Sequence, residues 1–235
     1  MTGLSTKDFP EAIILCGGKG ERLRPVTNNI PKPLVEINHK PILHYVIEHL
    51  KKYNIKKIHI ASGYKSNVIK KYFNDKIYNA EIKIYDSGDV DIIKRIQDIL
   101  EFLHKDVIIL YGDTISNVNI HELILDHKKS SKKITMTVWP LKLNYGLVEI
   151  DEKDTVESFE EKPTLDKWIN IGYFYINNDC RKLIFENISF ESFLLKSAEK
   201  KMINAYKHDG VHITVNTLSE LEDAKNNIKN ILVNN

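Results

Sequence analysis

The sequence predicts an α/β fold, an open mixed sheet flanked by helices whose second half is rich in strands. Three observations carry that expectation. Short apolar runs alternate with amphipathic segments from about residue 11 to residue 130. A glycine-rich turn follows the first run, and between Tyr145 and Ile176 the apolar runs recur with little room for helices between them.

Glu11 to Leu15 is an apolar run ending in Gly17-Gly18, a strand that feeds a turn. Ile42, Val46, Ile47 and Leu50 recur at helical spacing and predict a helix over about Pro41 to Tyr53. Lys57 to Ala61 reads as a second strand, Val68 to Phe73 as a second helix and Ile82 to Tyr85 as a third strand. Ile92, Ile93, Ile96, Ile99, Leu100 and Leu103 mark a third helix, and Val107-Ile108-Ile109-Leu110, apolar without alternation, a central strand buried on both faces. A helix over about Ile120 to Lys128 and a strand over Ile134 to Trp139 end the alternating part. Strands follow at Gly146 to Ile150, Val156 to Glu161 and Ile171 to Ile176. Helices over Asp179 to Phe185 and Phe190 to Lys200, strands near Ile203 to Tyr206 and Val211 to Val215, and a helix from Leu218 complete the chain. The elements make a Rossmann-like open mixed sheet, read as a single domain over 1–235 with no appended unit.

The composition excludes several classes. A chain of 235 residues buries roughly 70 to 75% of its unfolded surface and needs no staples. Its 34 Lys and Arg stand against 32 Asp and Glu, so no global field recruits a nucleic acid or a membrane, and an anionic substrate must be met locally. Runs such as Ala12 to Leu15 fall far short of the ~18 to 20 residues of a membrane span. Met1 to Pro10 lacks the basic and apolar regions of an export signal, which gives a cytoplasmic expectation. Cys16 and Cys180 make no disulfide framework and no metal cluster. His39, His44, His49, His104, His121, His127, His208 and His212 are scattered, most expected on helix surfaces or turns.

Ligands of open α/β sheets bind beyond the carboxyl ends of the strands, and two polar features fall on that edge. The first is Leu15-Cys16-Gly17-Gly18-Lys19-Gly20-Glu21-Arg22-Leu23-Arg24-Pro25, followed by Pro31-Lys32-Pro33. Its glycines let backbone N–H groups approach phosphate oxygens, and Lys19, Arg22 and Arg24 supply charge. Neither the P-loop nor the G-x-G-x-x-G spacing fits it. A glycine turn alone is a tight connection; Arg22 and Lys32 point to a triphosphate cradle. The second is Tyr111-Gly112-Asp113 at the end of the buried strand. Gly-Asp by itself caps a turn, whereas at this place a carboxylate can serve as a hard oxygen ligand for Mg²⁺. Phe159-Glu160-Glu161-Lys162-Pro163 and Asn170-Ile171-Gly172 form a third cluster that, read alone, is a solvated strand end.

The stretch Ala12 to Pro41, with its GGxGxRLxPxT, PKPLVxI and KPI strings, resembles the signature of the sugar-1-phosphate nucleotidyltransferases, also called nucleotide-sugar pyrophosphorylases. The resemblance implies a nucleotidyltransferase/GT-A-like fold with a nucleotide-binding half over about 11–130 and an acceptor-binding half over about 131–235. It also implies attack of a sugar-1-phosphate oxygen on the α-phosphorus of a nucleoside triphosphate, with pyrophosphate leaving. Arg22 would hold the β- and γ-phosphates and Lys32 would sit near the α-phosphate. Leu15, Gly17, Gly18, Lys19, Gly20, Ser87, Gly88 and Gly112 would line the nucleotide. Asp113 would bind Mg²⁺, the implied cofactor. Lys162 would neutralise the acceptor phosphate, and Tyr145, Gly146, Glu161 and Asn170 would contact the acceptor. Asn216 occupies the slot of a second metal-binding aspartate; its amide can coordinate Mg²⁺ but brings no charge, and Asn216-Thr217 also reads as a helix cap. A homo-oligomer is implied by analogy alone.

Within the family the chain is most similar to glucose-1-phosphate cytidylyltransferases, through Tyr85-Asp86-Ser87-Gly88, Lys94-Arg95-Ile96, Tyr111-Gly112-Asp113, Phe159 to Pro163 and Asn216-Thr217-Leu218. CTP is therefore the expected nucleotide and a phosphorylated small molecule its partner. The loop after Gly88 departs from that pattern, being shorter and lacking a Gly-Gly, so that Val90 or Asp91 would fill space the family leaves to backbone. A cytidylyltransferase for a non-sugar phosphate or phosphonate such as phosphocholine, a heptose-1-phosphate guanylyltransferase and an inactive nucleotide-binding regulatory homologue are the competing expectations. Trp168 would stack on an acceptor or cover the sheet.

Overall fold

The computed structural model describes residues 9–74 and 78–233. Of the segment Met1 to Pro10, on which the export-signal expectation rests, all but Phe9 and Pro10 lies outside the described residues. Strand β1 (Glu11–Cys16) runs into the glycine turn, and short 3-10 turns over Glu21–Leu23, Val26–Asn28 and Lys32–Leu34 carry the chain to the two-residue strands β2 (Glu36–Ile37) and β3 (Lys40–Pro41). Helix α1 (Ile42–Lys52), β4 (Lys57–Ser62), α2 (Ser66–Asn74), β5 (Glu81–Asp86), α3 (Ile92–Leu100) and β6 (Val107–Tyr111) continue the alternation. They are followed by β7 (Thr114–Ser116), α4 (Ile120–Ser130), β8 (Ile134–Lys142), the hairpin β9 (Leu147–Ile150) and β10 (Val156–Glu160), and β11 (Thr164–Ile176). The chain ends in α5 (Arg181–Phe185), α6 (Phe190–Glu199), β12 (Ile203–Lys207), β13 (His212–Thr214) and α7 (Leu218–Val233).

Seven strands form one sheet in the order β12-β8-β11-β6-β1-β4-β5. Strands β6, β1, β4 and β5 are parallel, β11 lies antiparallel between β6 and β8, and β12 is parallel to β8. Successive strand side chains face opposite ways, so β1 and β6 feed two cores. Ala12, Ile14, Ile108 and Leu110 pack on one face with α1, α4 and α7 residues such as Val46, Leu123 and Leu221. Ile13, Val107 and Ile109 pack on the other with Ile96, Ile99 and Phe193 of α3 and α6. No described helix is long and apolar enough to cross a membrane.

Three features differ from the sequence expectation. Strand β11 starts at Thr164 rather than Ile171, because its first half is a largely exposed ribbon paired to β8 across two register shifts and lacks an apolar run. The strand expected over Val211 to Val215 pairs with β7 and not with the main sheet. Several histidines are interior: His127 is 4% exposed, its ring nitrogens 2.8 Å from Thr135 Oγ1 and 2.7 Å from Asn177 Oδ1, and burial drops the pKa of His49 to about 4. Lys207 Nζ lies 4.8 Å above the ring of Trp168, which is 43% exposed.

Asp91 begins α3. Its carboxylate accepts hydrogen bonds from Ile93 N at 2.8 Å and from Phe190 N at 3.3 Å, capping α3 and tying it to the start of α6. An N-cap aspartate is worth about 0.5 to 2 kcal/mol. Asp91→Ala should therefore lower the urea midpoint by an amount in that range at unchanged m-value; a midpoint equal to that of the wild type would contradict the capping role.

Candidate active site

The parallel strands β1, β4, β5 and β6 all deliver their carboxyl ends to one edge, where a cavity of about 770 Å³ opens. Leu15, Gly17, Gly18, Lys19 and Gly20 line one wall; Arg22, Lys32, Tyr111, Asp113 and Asn216 line another. Gly20 turns the chain with φ +62°, and the Thr27 hydroxyl donates to its carbonyl at 2.8 Å. Buried Leu23 anchors the turn, which leaves Arg22 exposed at the cavity rim. Gly112 lets β6 approach β1: its N–H donates to Leu15 O at 3.0 Å, and a Cβ there would stand 2.6 Å from Cys16 Sγ.

Lys32 is the centre of the polar wall. Its chain is 8% exposed, and its Nζ donates to Asp113 Oδ2 at 2.5 Å and to Asn216 Oδ1 at 2.8 Å. Arg22 Nη2 donates to the same Asn216 Oδ1 at 3.2 Å. The two sequence readings of Asn216-Thr217 divide between the residues. Thr217 caps α7, its hydroxyl accepting from Glu220 N at 3.2 Å, while the Asn216 side chain faces the cavity. Cys16 lies beneath Asp113, and burial pushes its thiol far above its ordinary range with the Asp113 charge adding to the shift.

Arg95 is legible only as part of a resemblance string, yet it is central to the glycine-turn side of the cavity. It is 5% exposed, and its Nη2 donates to Gly88 O at 3.0 Å. A Cβ on Gly17 would meet its Nε at 2.2 Å and one on Gly63 its Nη2 at 2.9 Å. One guanidinium thus braces the loops after β1, β4 and β5. The signal that could have found it is the stripe Ile92, Arg95, Ile96, Ile99, a cation at i+3 on the buried face of an apolar helix. Ser87, Gly88 and Gly112 do not line the cavity themselves; Gly88 acts as Arg95's acceptor and Gly112 as a packing contact. Val90 lines the cavity as expected, but Asp91 turns away to cap α3, and it is Asp89 that enters. Asp89 pairs with Lys19 at 2.7 Å, and this hydrogen bond and charge, with a smaller pull from Arg95, hold its carboxyl below the usual range.

The residues expected on the acceptor side lie outside this cavity. Tyr145 is 79% exposed at the base of the β9–β10 hairpin. A Cβ on Gly146 would stand 2.5 Å from the Phe159 ring and 3.3 Å from Glu161 Oε2. Lys162 adopts φ +49° in the turn after β10, with its Nζ 3.9 Å from Glu161 Oε1 and open to solvent. Asn170 Oδ1 accepts from Gly172 N at 2.8 Å, and its side chain hydrogen-bonds the Tyr111 hydroxyl, which does line the cavity.

Residues 11–216 match the family model described as Nucleotidyl transferase. The chain belongs to that nucleotidyltransferase family. It is 35% identical over 211 residues to a D-glycero-alpha-D-manno-heptose 1-phosphate guanylyltransferase of Campylobacter jejuni, covering 87% of this chain and 94% of that one. It is 30% identical over 238 residues to a glucose-1-phosphate cytidylyltransferase of Salmonella typhi, covering 89% and 92%. Its fold superposes with a TM-score of 0.72 on a crystal structure of HddC from Yersinia pseudotuberculosis complexed with GMP-PN, at 22% identity and over 94% and 100% of the two chains.

Among the described residues of this nucleotidyltransferase no three His, Cys, Asp or Glu side chains cluster as a metal site. The donors Asp113 and Asn216 do converge, because both accept from the single cation Lys32 Nζ. One carboxylate and one amide oxygen fit a Mg²⁺ ion that takes its remaining ligands from phosphates and water.

The Arg95 brace separates two adjacent glycines. Gly17→Ala must displace the guanidinium, whereas a Cβ at Gly18 has nothing within 4 Å. A loss of about 1 to 2 kcal/mol moves the melting temperature of a chain this size by several degrees. Gly17→Ala should show that drop and Gly18→Ala should melt with the wild type; equal melting of the two variants would contradict the brace.

Proposed function

We propose that this nucleotidyltransferase joins a nucleoside triphosphate to a sugar-1-phosphate by in-line attack on the α-phosphorus. An acceptor phosphate oxygen forms the new P–O bond, the bond to the β-bridging oxygen breaks, and pyrophosphate leaves. The observation that carries this reading is the convergence of Lys19, Arg22 and Lys32 with Asp113 on one cavity at the strand ends. Such a site works by positioning and charge, with no covalent enzyme intermediate.

Arg22, exposed at the rim, holds the β- and γ-phosphates and so favours the leaving group. Lys32 is close enough to the cavity to move from Asp113 onto the α-phosphate, where negative charge develops. Backbone N–H groups of the Gly17 to Gly20 turn supply donors without side chains in the way. Asp113 and Asn216 are the residues that would hold Mg²⁺, whose chemistry there is neutralisation of charge on the triphosphate oxygens. Lys162, with Glu161 and Asn170, is the proposed acceptor clamp on the hairpin side. Arg22→Ala should retain the wild-type melting temperature and lose turnover by at least about 100-fold, the scale of one lost charge-stabilising group; undiminished turnover in that variant would overturn the assignment.

For the base we favour guanine. Asp89 and Arg95 line the cavity together. A carboxylate matches the paired N1–H and N2–H donors of guanine, and a guanidinium matches its O6 acceptor. The Campylobacter jejuni relative is named for guanylyl transfer to a heptose phosphate. CTP is the second reading, supported by the motif strings and by the Salmonella typhi relative's name, although cytosine offers one exocyclic amine to a carboxylate instead of two parallel donors. Pyrophosphate release with four nucleoside triphosphates against heptose 1-phosphate, glucose 1-phosphate and phosphocholine decides among them. The expected result is preference for GTP with a sugar-1-phosphate, eroded about tenfold or more in Asp89→Ala, the scale of one lost base-specific contact. Preferential turnover of CTP would transfer the base to the second reading, and nucleotide binding with no turnover in any pair would mark a regulatory protein.

A further inference from the structure

One ion pair joins two lips of the strand-end cavity. Lys19, in the glycine turn after β1, holds its Nζ 2.7 Å from Oδ2 of Asp89, in the loop between β5 and α3, and both residues line the cavity. Asp89 and Val90 bridge two fixed points, because Gly88 O accepts from Arg95 Nη2 at 3.0 Å and Asp91 caps α3. The pair can therefore part by side-chain rotation without moving either loop. Both side chains stand largely open to water, 47% and 75% exposed, so parting costs little. Deeper among the lining residues, the Nε–H of Arg95 is buried with no hydrogen-bond partner among the described residues, whereas buried donors ordinarily have one. The guanine O6 assigned above to Arg95 is such an acceptor.

Resting on the guanine reading above, we propose that Lys19 is a specificity-determining residue that reads the base indirectly, by competing with it for Asp89. In the free protein Lys19 and Asp89 satisfy each other. Guanine presents N1–H and N2–H to a carboxylate and so takes Asp89. Lys19 is then released to the phosphates of the same molecule, which lie against its own glycine turn. A base without paired donors leaves Asp89 on Lys19, and its phosphates are held without that ammonium. Guanosine alone strands Lys19 without a counter-charge, and a triphosphate alone strands Asp89 beside an anion. Only the whole nucleotide opens the pair with both charges compensated, so base and phosphates are coupled reciprocally through one contact.

Guanosine, neutral and without phosphate, isolates the competition, and its affinity is read by displacement of a fluorescent GTP analogue from the full chain. Lys19→Met should bind guanosine about two- to fivefold more tightly than wild type, the scale of one exposed ion pair. The same variant should bind GTP about threefold or more weakly, the net of a lost charge-assisted phosphate contact and a relieved Asp89. This opposite sign for nucleoside and nucleotide is what a purely structural or purely phosphate-binding lysine does not produce. In an Asp89→Asn background, Lys19→Met should leave guanosine affinity unchanged, because the carboxylate competed for is gone. Equal guanosine affinity in wild type and Lys19→Met, or a gain that persists in the Asp89→Asn background, would overturn the proposal while GTP binding by wild type keeps the base reading intact. Wild-type preference for another triphosphate would remove the guanine reading, and the same comparison with that triphosphate's nucleoside then decides the competition. Failure of wild type to bind any triphosphate would overturn both.

Discussion

The ammonium of Lys32, held between Asp113 and Asn216, is the contact on which the arrangement of the site depends. It joins residues 81 and 184 positions away in the chain and draws the turn after β1, the end of β6 and the start of α7 to one point. Each participant arrives there for a local reason. Pro31 and Pro33 flank Lys32 and hold it in a 3-10 turn; Gly112 lets β6 close on β1; Thr217 and Glu220 cap α7 reciprocally and leave Asn216 just ahead of it, facing inward. An ammonium with so little exposure is stable only if it is paired.

Around this point the molecule is divided mechanically. The cavity is built on parallel strands, of which β1 and β6 are buried on both faces, and its loops are braced by the interior guanidinium of Arg95. Beside it stands the β9–β10 hairpin, whose four-residue apolar face, Val148, Ile150, Val156 and Phe159, is 46 to 65% exposed. A two-stranded hairpin is marginal alone, so its order derives from the long β8–β11 ribbon at its root. A braced cavity thus stands beside an exposed hairpin.

Sequence patterns expose what burial enforces. The run Val107 to Leu110 and the stripe of isoleucines in α3 are legible because a buried strand and an amphipathic helix each require those residues at those spacings. The first half of β11, Thr164 to Asn170, is illegible because an exposed ribbon imposes no such pattern. Among site residues, Arg22, Lys32 and Asp113 could be chosen because glycines and prolines mark their loops, and the structure brings all three to one wall. Arg95 escaped notice because a lone cation in a helix reads as solvated, and Asp91 was placed in the nucleotide loop because local sequence does not say which of three successive residues, Asp89 to Asp91, turns back to cap. The partners of Asn216 depend on three distant segments closing together, which no local pattern encodes.

Lys32 and Asp113 are energetically joined in the free protein, and a double-mutant cycle of Lys32→Met and Asp113→Asn in urea unfolding measures that coupling directly. A pair this close should show a coupling energy of about 1 to 3 kcal/mol. Additivity within about 0.5 kcal/mol would mean that the two side chains fold independently and that the site is not assembled around that contact.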